Sequence, residues 1–189
     1  MFTVEIAKDI KPKIVYEAYA GAGHQTFRWI EFSNEVYASE IMPIKLEQFK
    51  KTARINHFNT FSKIGKWYIF SNKEGKKVNL FIGDALDAII EIRSQKINID
   101  LVDLDTCGST LPLLPTILLV LTPKHLVITH GEFHSMRFKR EDVLRRLFVH
   151  RDITQNPLPI TVDEMSIELD KAVKVAALRA HNETIDSFW

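Results

Sequence analysis

The chain alternates short β-branched and aromatic runs with longer amphipathic stretches, and this alternation limits its fold more than any other feature. KIVYEAY (Lys13–Tyr19), EVYAS (Glu35–Ser39), VNLFI (Val78–Ile82), INIDLVDLD (Ile97–Asp105) and HLVIT (His125–Thr129) read as strands. Helical stretches fall between them: His24–Phe32, Pro43 to about Ala53, and Asp84 onward with Leu86, Ile89 and Ile90 at helical spacing. Leu111–Leu121, Arg140–Val149 and Val162–Leu178 read as helices too, with a short strand expected at the C-terminal end. Strand and helix in strict turn require an α/β fold. The expected form is a doubly wound, mostly parallel Rossmann-like sheet with helices on both faces. Two segments fit less well. Arg54–Lys66 is largely polar and reads as irregular, and Trp67–Gly83 reads either as a hairpin or as a helix tail followed by a strand.

Composition narrows the class. With 189 residues, 46% hydrophobic and 26% charged, the chain is expected to form one domain, 1–189, with a real core. The single cysteine, Cys107, excludes an intrachain disulfide and a multi-cysteine zinc site, which points to a reducing, cytoplasmic setting. No apolar run approaches a membrane span, and MFTVEIAKDIK lacks the apolar centre of a signal peptide. A net charge of +1 makes global charge silent about partners, so only local patches count. Two are visible: Met136–Arg151, and Lys50–Lys77, where lysines interleave with Phe58, Phe61, Trp67 and Tyr68. Basic residues among aromatics suit nucleic acid, and equally suit a solvated face of snorkelling lysines.

A parallel sheet binds ligands at the carboxyl ends of its strands, so glycines and acids should gather there. They do. Gly21 and Gly23 follow the first strand, Glu40 the second, Gly83 and Asp84 the third, and Asp105 ends the fourth. Two glycines allow close backbone approach to a ligand, although Thr26 takes the third position of a dinucleotide-type glycine motif. Taken singly, each feature also has a plain structural reading: a tight turn, a surface acid, or a helix cap at Asp84.

The segments EAYAGAG, EVYASE, GDALDAI and IDLVDLDTCGS resemble the first four motifs of the class I S-adenosylmethionine-dependent methyltransferases, over roughly Ile14 to Thr129. That resemblance implies S-adenosyl-L-methionine as cofactor. Glu17 and Gly21–Gly23, with Tyr19 and Ala20, would line the methionine moiety. Glu40 would meet the ribose and Asp84 the adenine, and Ile41, Ala85 and Asp103 would join the cofactor contacts. Asp103-Leu-Asp-Thr-Cys-Gly-Ser109 looks most like the Asp-Leu-Asp-Pro-aromatic-Gly-Ser motif of the tRNA guanine-N2 dimethyltransferases. In that family the acid matching Asp105 holds the acceptor amine.

Two positions depart from the pattern: Thr106 replaces proline and Cys107 replaces the aromatic. Cys107 also falls about where cytosine-C5 methyltransferases carry their nucleophile. The catalytic candidates are therefore Asp105 and Cys107, with Thr106, His130 and Glu132 as substrate contacts and no metal expected. The resemblance implies a methyltransferase acting on a nucleic-acid base, RNA before DNA, without a membrane, and as a homo-oligomer or with a recognition subunit. A protein or small-molecule methyltransferase, a non-catalytic cofactor-binding relative, and a nicotinamide oxidoreductase on a similar sheet stand as alternatives.

Overall fold

The structure, a computed structural model, describes residues 2–106, 108, 110, 112–129, 167 and 170–175. Among the described residues, seven strands form one sheet in the order β3-β4-β5-β2-β1-β6-β7. They are β1 (Ile14–Ala18), β2 (Glu35–Glu40), β3 (Thr60–Ile64), β4 (Trp67–Ser71), β5 (Lys77–Ile82), β6 (Leu101–Asp105) and β7 (His125–Thr129). β1 pairs in parallel with β2 and β6, and β2 with β5, whereas β4 runs antiparallel to both β3 and β5. The fold is thus α/β and mostly parallel, with an antiparallel hairpin at one edge. The chain divides into two compact units, Met1–Asp105 with Val120–Ile128, and Thr106–Leu119 with Thr129–Trp189.

In the first unit the helices are α1 (Phe2–Ile10), α2 (His24–Phe32), α3 (Lys45–Ile55) and α4 (Ala85–Ser94). Side chains alternate across a strand, so each strand serves two layers. On β1, Val15 joins the core that holds Phe27 and Trp29 of α2 and Phe49 of α3, while the Tyr16 hydroxyl donates to the Ala85 carbonyl at the start of α4. The aromatic rings of that core are closely placed: Phe27 lies 5.4 Å from Phe49 and 5.2 Å from Phe58, and Phe49 lies 5.5 Å from Phe70. Edge and tilted contacts of this kind suit the ring quadrupoles, and burial of so many rings supplies most of the cohesion of the layer.

Several boundaries differ from the sequence reading for physical reasons. Arg54–Lys66 is not irregular: it carries the end of α3 and all of β3. Every residue of β3 is exposed, so the strand has no buried face to show as alternation, and its pairing with β4 holds it. The two readings of Trp67–Gly83 resolve as an antiparallel strand pair. The Ile97–Asp105 strand begins only at Leu101, because Lys96 turns with φ 57° and the Ile97 amide still bonds the Ile92 carbonyl of α4. α1 was not expected. It is a short amphipathic helix whose Ala7 is fully buried and whose Ile6 and Ile10 pack on the core.

Of the expected Leu111–Leu121 helix, the described residues are helical from Leu114, as a three-residue α-turn, α5 (Leu114–Thr116), that widens into a π-helix at Ile117–Leu121. In the second unit, residues 170–175 are helical, within the expected Val162–Leu178 helix. The Arg140–Val149 helix and the terminal strand lie outside the described residues. Among the described residues, no helix is long and apolar enough to cross a membrane.

Candidate active site

The strand order changes direction at β1: β2 and β5 lie on one side, β6 and β7 on the other. In open α/β sheets the ligand crevice opens at the carboxyl ends of the strands beside such a switch. The sequence candidates of the first unit converge on that edge.

The turn after β1 bends sharply, with Tyr19, Gly21 and Gly23 all in the left-handed region at φ 69°, 55° and 85°. Its two glycines do different work. A Cβ on Gly23 would lie 2.6 Å from the Phe49 ring, so this glycine lets α2 start close against α3. A Cβ on Gly21 would meet nothing within 4 Å, so Gly21 faces open space where a ligand can approach the backbone. Tyr19 is partly exposed beside it and holds a conformation that glycine tolerates better.

Glu40 ties two strand ends together. One carboxylate oxygen accepts from the Gly21 amide and the other from the Met42 amide, both at 2.8 Å. The Glu40 carbonyl accepts from the Gly83 amide at 2.9 Å, which joins the end of β5 to the same edge. Asp84 caps α4, its side chain accepting from the Leu86 amide at 2.8 Å, so the plain reading of this acid as a helix cap describes its hydrogen bond. Ile41 is exposed next to Glu40, and Ala85 is buried as the first residue of α4. Ala20 is buried and donates its amide to the Ser39 carbonyl.

Glu17 and Asp103 are register partners on the adjacent strands β1 and β6. Both are buried at 2% exposure. The Thr26 hydroxyl donates to Glu17 and the Trp29 indole Nε1 donates to Asp103 at 2.5 Å. Burial pushes the Glu17 carboxyl well above the usual range, and the neighbouring Asp103 charge adds to that. Burial likewise raises Asp103 to about 6, with the Trp29 hydrogen bond opposing and the Asp105 charge reinforcing. Two adjacent carboxylates in a low dielectric cannot both ionise cheaply, so this pair holds protons that exposed acids would have lost.

Thr26 and Trp29 had no assigned role at the sequence level. The available signal was their i,i+3 spacing on one helix face, opposite acids that two strands bury. The residue in the third glycine position is therefore a hydrogen-bond donor to a buried acid. Asp105, two residues beyond Asp103, is exposed at the end of β6.

In the second unit the Thr106 hydroxyl accepts from the Gly108 amide at 3.1 Å. A local side-chain bond thus shapes the turn at the position where the resembling motif has proline. Cys107, His130 and Glu132 lie outside the described residues.

No protein-family model matches the chain, and no curated protein matches it in sequence. Solved structures do match. Trm1 from Pyrococcus horikoshii, solved with S-adenosyl-L-methionine, aligns over 94% of this chain with a TM-score of 0.73 and 17% identity. The chain spans about half of that protein, 48% of its length. The methyltransferase domain of bacterial CtHen1-C aligns over 93% of this chain and 81% of its own, with a TM-score of 0.53 and 13% identity. The strand order, the parallel centre and these matches agree, and the chain has the Rossmann-like fold of the class I S-adenosylmethionine-dependent methyltransferases.

Proposed function

We propose that this protein is an S-adenosylmethionine-dependent methyltransferase that acts on a nucleic-acid base, with RNA favoured over DNA. The observation that carries the reading is the carboxyl edge itself: an open Gly21 turn, Glu40 and Asp84 stand together at the ends of β1, β2 and β5. The likeness in fold to a protein solved with S-adenosyl-L-methionine supports the same ligand here.

The residues present fit that group chemically. Glu40 uses one lone pair on each oxygen for a backbone amide, which leaves acceptor capacity for ribose hydroxyls. Asp84 offers a second carboxylate beside a helix start, suited to the adenine amino group. Gly21 leaves room for the methionine portion against bare backbone. When bound, S-adenosylmethionine supplies the methyl group.

The chain's own residues contribute alignment and desolvation. Asp105 is exposed at the strand end, where its carboxylate accepts from an acceptor amine and fixes the direction of the nitrogen lone pair. Asp103, two residues earlier on the same face of β6, differs by its burial: with its carboxylate held against Trp29, it positions α2 and β6 instead of touching the cofactor. Glu17 plays the same part through Thr26. The resemblance adds Thr106, His130 and Glu132 as proposed substrate contacts and Cys107 as a catalytic candidate, with a nucleophilic role for Cys107 the less favoured reading.

Transfer of labelled methyl from S-adenosylmethionine to total RNA, DNA or protein tests the reading directly. Label in RNA that disappears in Asp105→Ala, with S-adenosylhomocysteine still bound in calorimetry, is the expected result. Label only in protein, or none at all with the cofactor bound, would move the assignment to one of the alternatives.

A further inference from the structure

The antiparallel hairpin at the sheet edge has a surface that the methyl-transfer reading does not use. All five residues of β3 are exposed, Phe61 at 47% and Ile64 at 66%. An edge strand needs a charge or a bulge to discourage pairing, and Lys63 alone would serve. A large exposed ring is not required for that and is costly in water.

The arrangement around the ring is specific. Phe61 stacks on Tyr68 of β4, with centroids 6.0 Å apart and planes 21° from parallel. The Lys63 ammonium sits 4.9 Å from the Tyr68 ring and Lys50 sits 5.1 Å from the Phe61 ring. Lys50 also meets Glu47 at 2.8 Å, so Lys63 is the less neutralised of the two. Two nearly parallel rings flanked by ammonium groups, with Phe61 also 5.3 Å from the Phe70 ring, present aromatic surface together with positive charge.

The position is equally telling. β4 is antiparallel to β5 and β3 to β4, so β3 runs in the same direction as the parallel centre. The strand therefore ends at the carboxyl edge of the sheet, where Ile64 pairs with Trp67 and Trp67 with Phe81. Just beyond, Lys66 lies 3.7 Å from Asp87 in the first turn of α4, the helix that Asp84 caps. Lys66, Trp67 and Phe81 stand on the opposite face of the sheet from Phe61 and Tyr68, and the platform shares with them the carboxyl edge.

We infer that the face of β3 and β4 carrying Phe61, Lys63 and Tyr68, at the rim of α3, binds an unpaired nucleic-acid strand, its bases stacking on Phe61 and Tyr68 and its phosphates meeting Lys63. This rests on the proposed nucleic-acid substrate and assigns it a surface. Unpaired bases are favoured because a duplex hides its base faces, whereas aromatic platforms with cations suit single strands of any sequence.

The test uses the full chain and fluorescence anisotropy with a labelled oligouridine of about 16 nucleotides, the upper site size of small single-strand binders. Its duplex with oligoadenylate and heparin, a polyanion without bases, serve as competitors. Phe61→Ala should weaken oligouridine binding about tenfold, the usual loss of one stacked base. Lys63→Gln should lower the slope of log affinity against log salt by about 0.7, the value of one single-strand phosphate contact. Both side chains are exposed, and circular dichroism melts confirm that the variants fold.

Unchanged affinity in Phe61→Ala overturns the proposal, as does competition by heparin or duplex equal to that of the free strand. A chain that dimerises until Lys63→Pro, at a position whose N–H faces away from β4, blocks the edge assigns β3 to self-pairing and overturns it too. Calorimetry with S-adenosylhomocysteine on the same samples separates the two claims. Cofactor binding without strand binding removes only this surface. Strand binding through Phe61 without cofactor binding removes only the methyl-transfer reading.

Discussion

Replacing Asp103 by asparagine should stabilise the protein at neutral pH, against the usual expectation for a buried hydrogen-bonded acid. Asp103 is buried beside Glu17 and titrates at about 6. An aspartate in the unfolded chain titrates near ~4, so the folded state binds its proton more tightly over roughly two units. The sign follows from linkage. Between about pH 4 and pH 6 the native state holds more protons than the unfolded state, and stability therefore falls as pH rises. Below that window both states are protonated, and the group's stabilising contribution is fully present relative to pH 7. Above it both are ionised and the burial cost of the charge is complete.

Two units at about 1.4 kcal/mol each give a penalty of about 3 kcal/mol at pH 7. Asparagine keeps an oxygen for the Trp29 indole, but its two N–H donors replace the single hydroxyl of the protonated acid in a buried site, an offset of about 1 kcal/mol. The net expectation is a gain of roughly 1–2 kcal/mol at pH 7, or a Tm rise of about 2–8 °C for a chain of this size. Near pH 4 the gain should vanish. Circular dichroism melts of both proteins from pH 4 to pH 8 measure it. A variant that loses stability equally at every pH would refute the reasoning, because Asp103 would then act as an ionised anchor and not as a buried acid resisting its charge.

Gly21→Ala and Gly23→Ala should separate two roles within one turn. The first, in open space, should cost about 1 kcal/mol of backbone strain, and the second should cost more because its methyl group meets the Phe49 ring, as urea unfolding would measure. Glu40→Ala should weaken S-adenosylhomocysteine binding by on the order of 1–3 kcal/mol in calorimetry, and an unchanged dissociation constant would remove the ribose assignment. Asp105→Ala should lower methyl transfer about 100-fold or more with little change in cofactor affinity, and retained turnover would shift acceptor binding to another loop. Trp29→Phe should destabilise by about 1–3 kcal/mol in denaturant unfolding at pH 7 by removing the indole donor of the Asp103 carboxylate and leaving it the Gln25 bond alone, and the double variant with Asp103→Asn should recover part of the loss.

The parallel centre of the sheet was legible in the amino-acid sequence because its strands are buried on both faces. Val15-Tyr16, Val36, Leu80-Phe81 and Leu101-Val102 form apolar runs that cannot be solvent-facing, and amphipathic stretches separate them. Glycines and acids at the strand ends were legible for the same reason, since a run that must be buried makes its polar boundary conspicuous. The edge was not. β3 has no buried side, so nothing in Thr60–Ile64 distinguishes a strand from a loop until β4 supplies its hydrogen bonds.

Tertiary structure also divided roles that residue types had merged. Glu17, Glu40, Asp84, Asp103 and Asp105 are interchangeable acids in a linear reading. Strand register buries the first against Asp103 and α2, the path of β2 turns Glu40 back onto the Gly21 amide, and the end of β6 leaves Asp105 exposed. The physical reason is alternation combined with partner choice. A strand position decides which face a carboxylate occupies, but only the helix packed on that face decides whether it meets a donor, another charge or water.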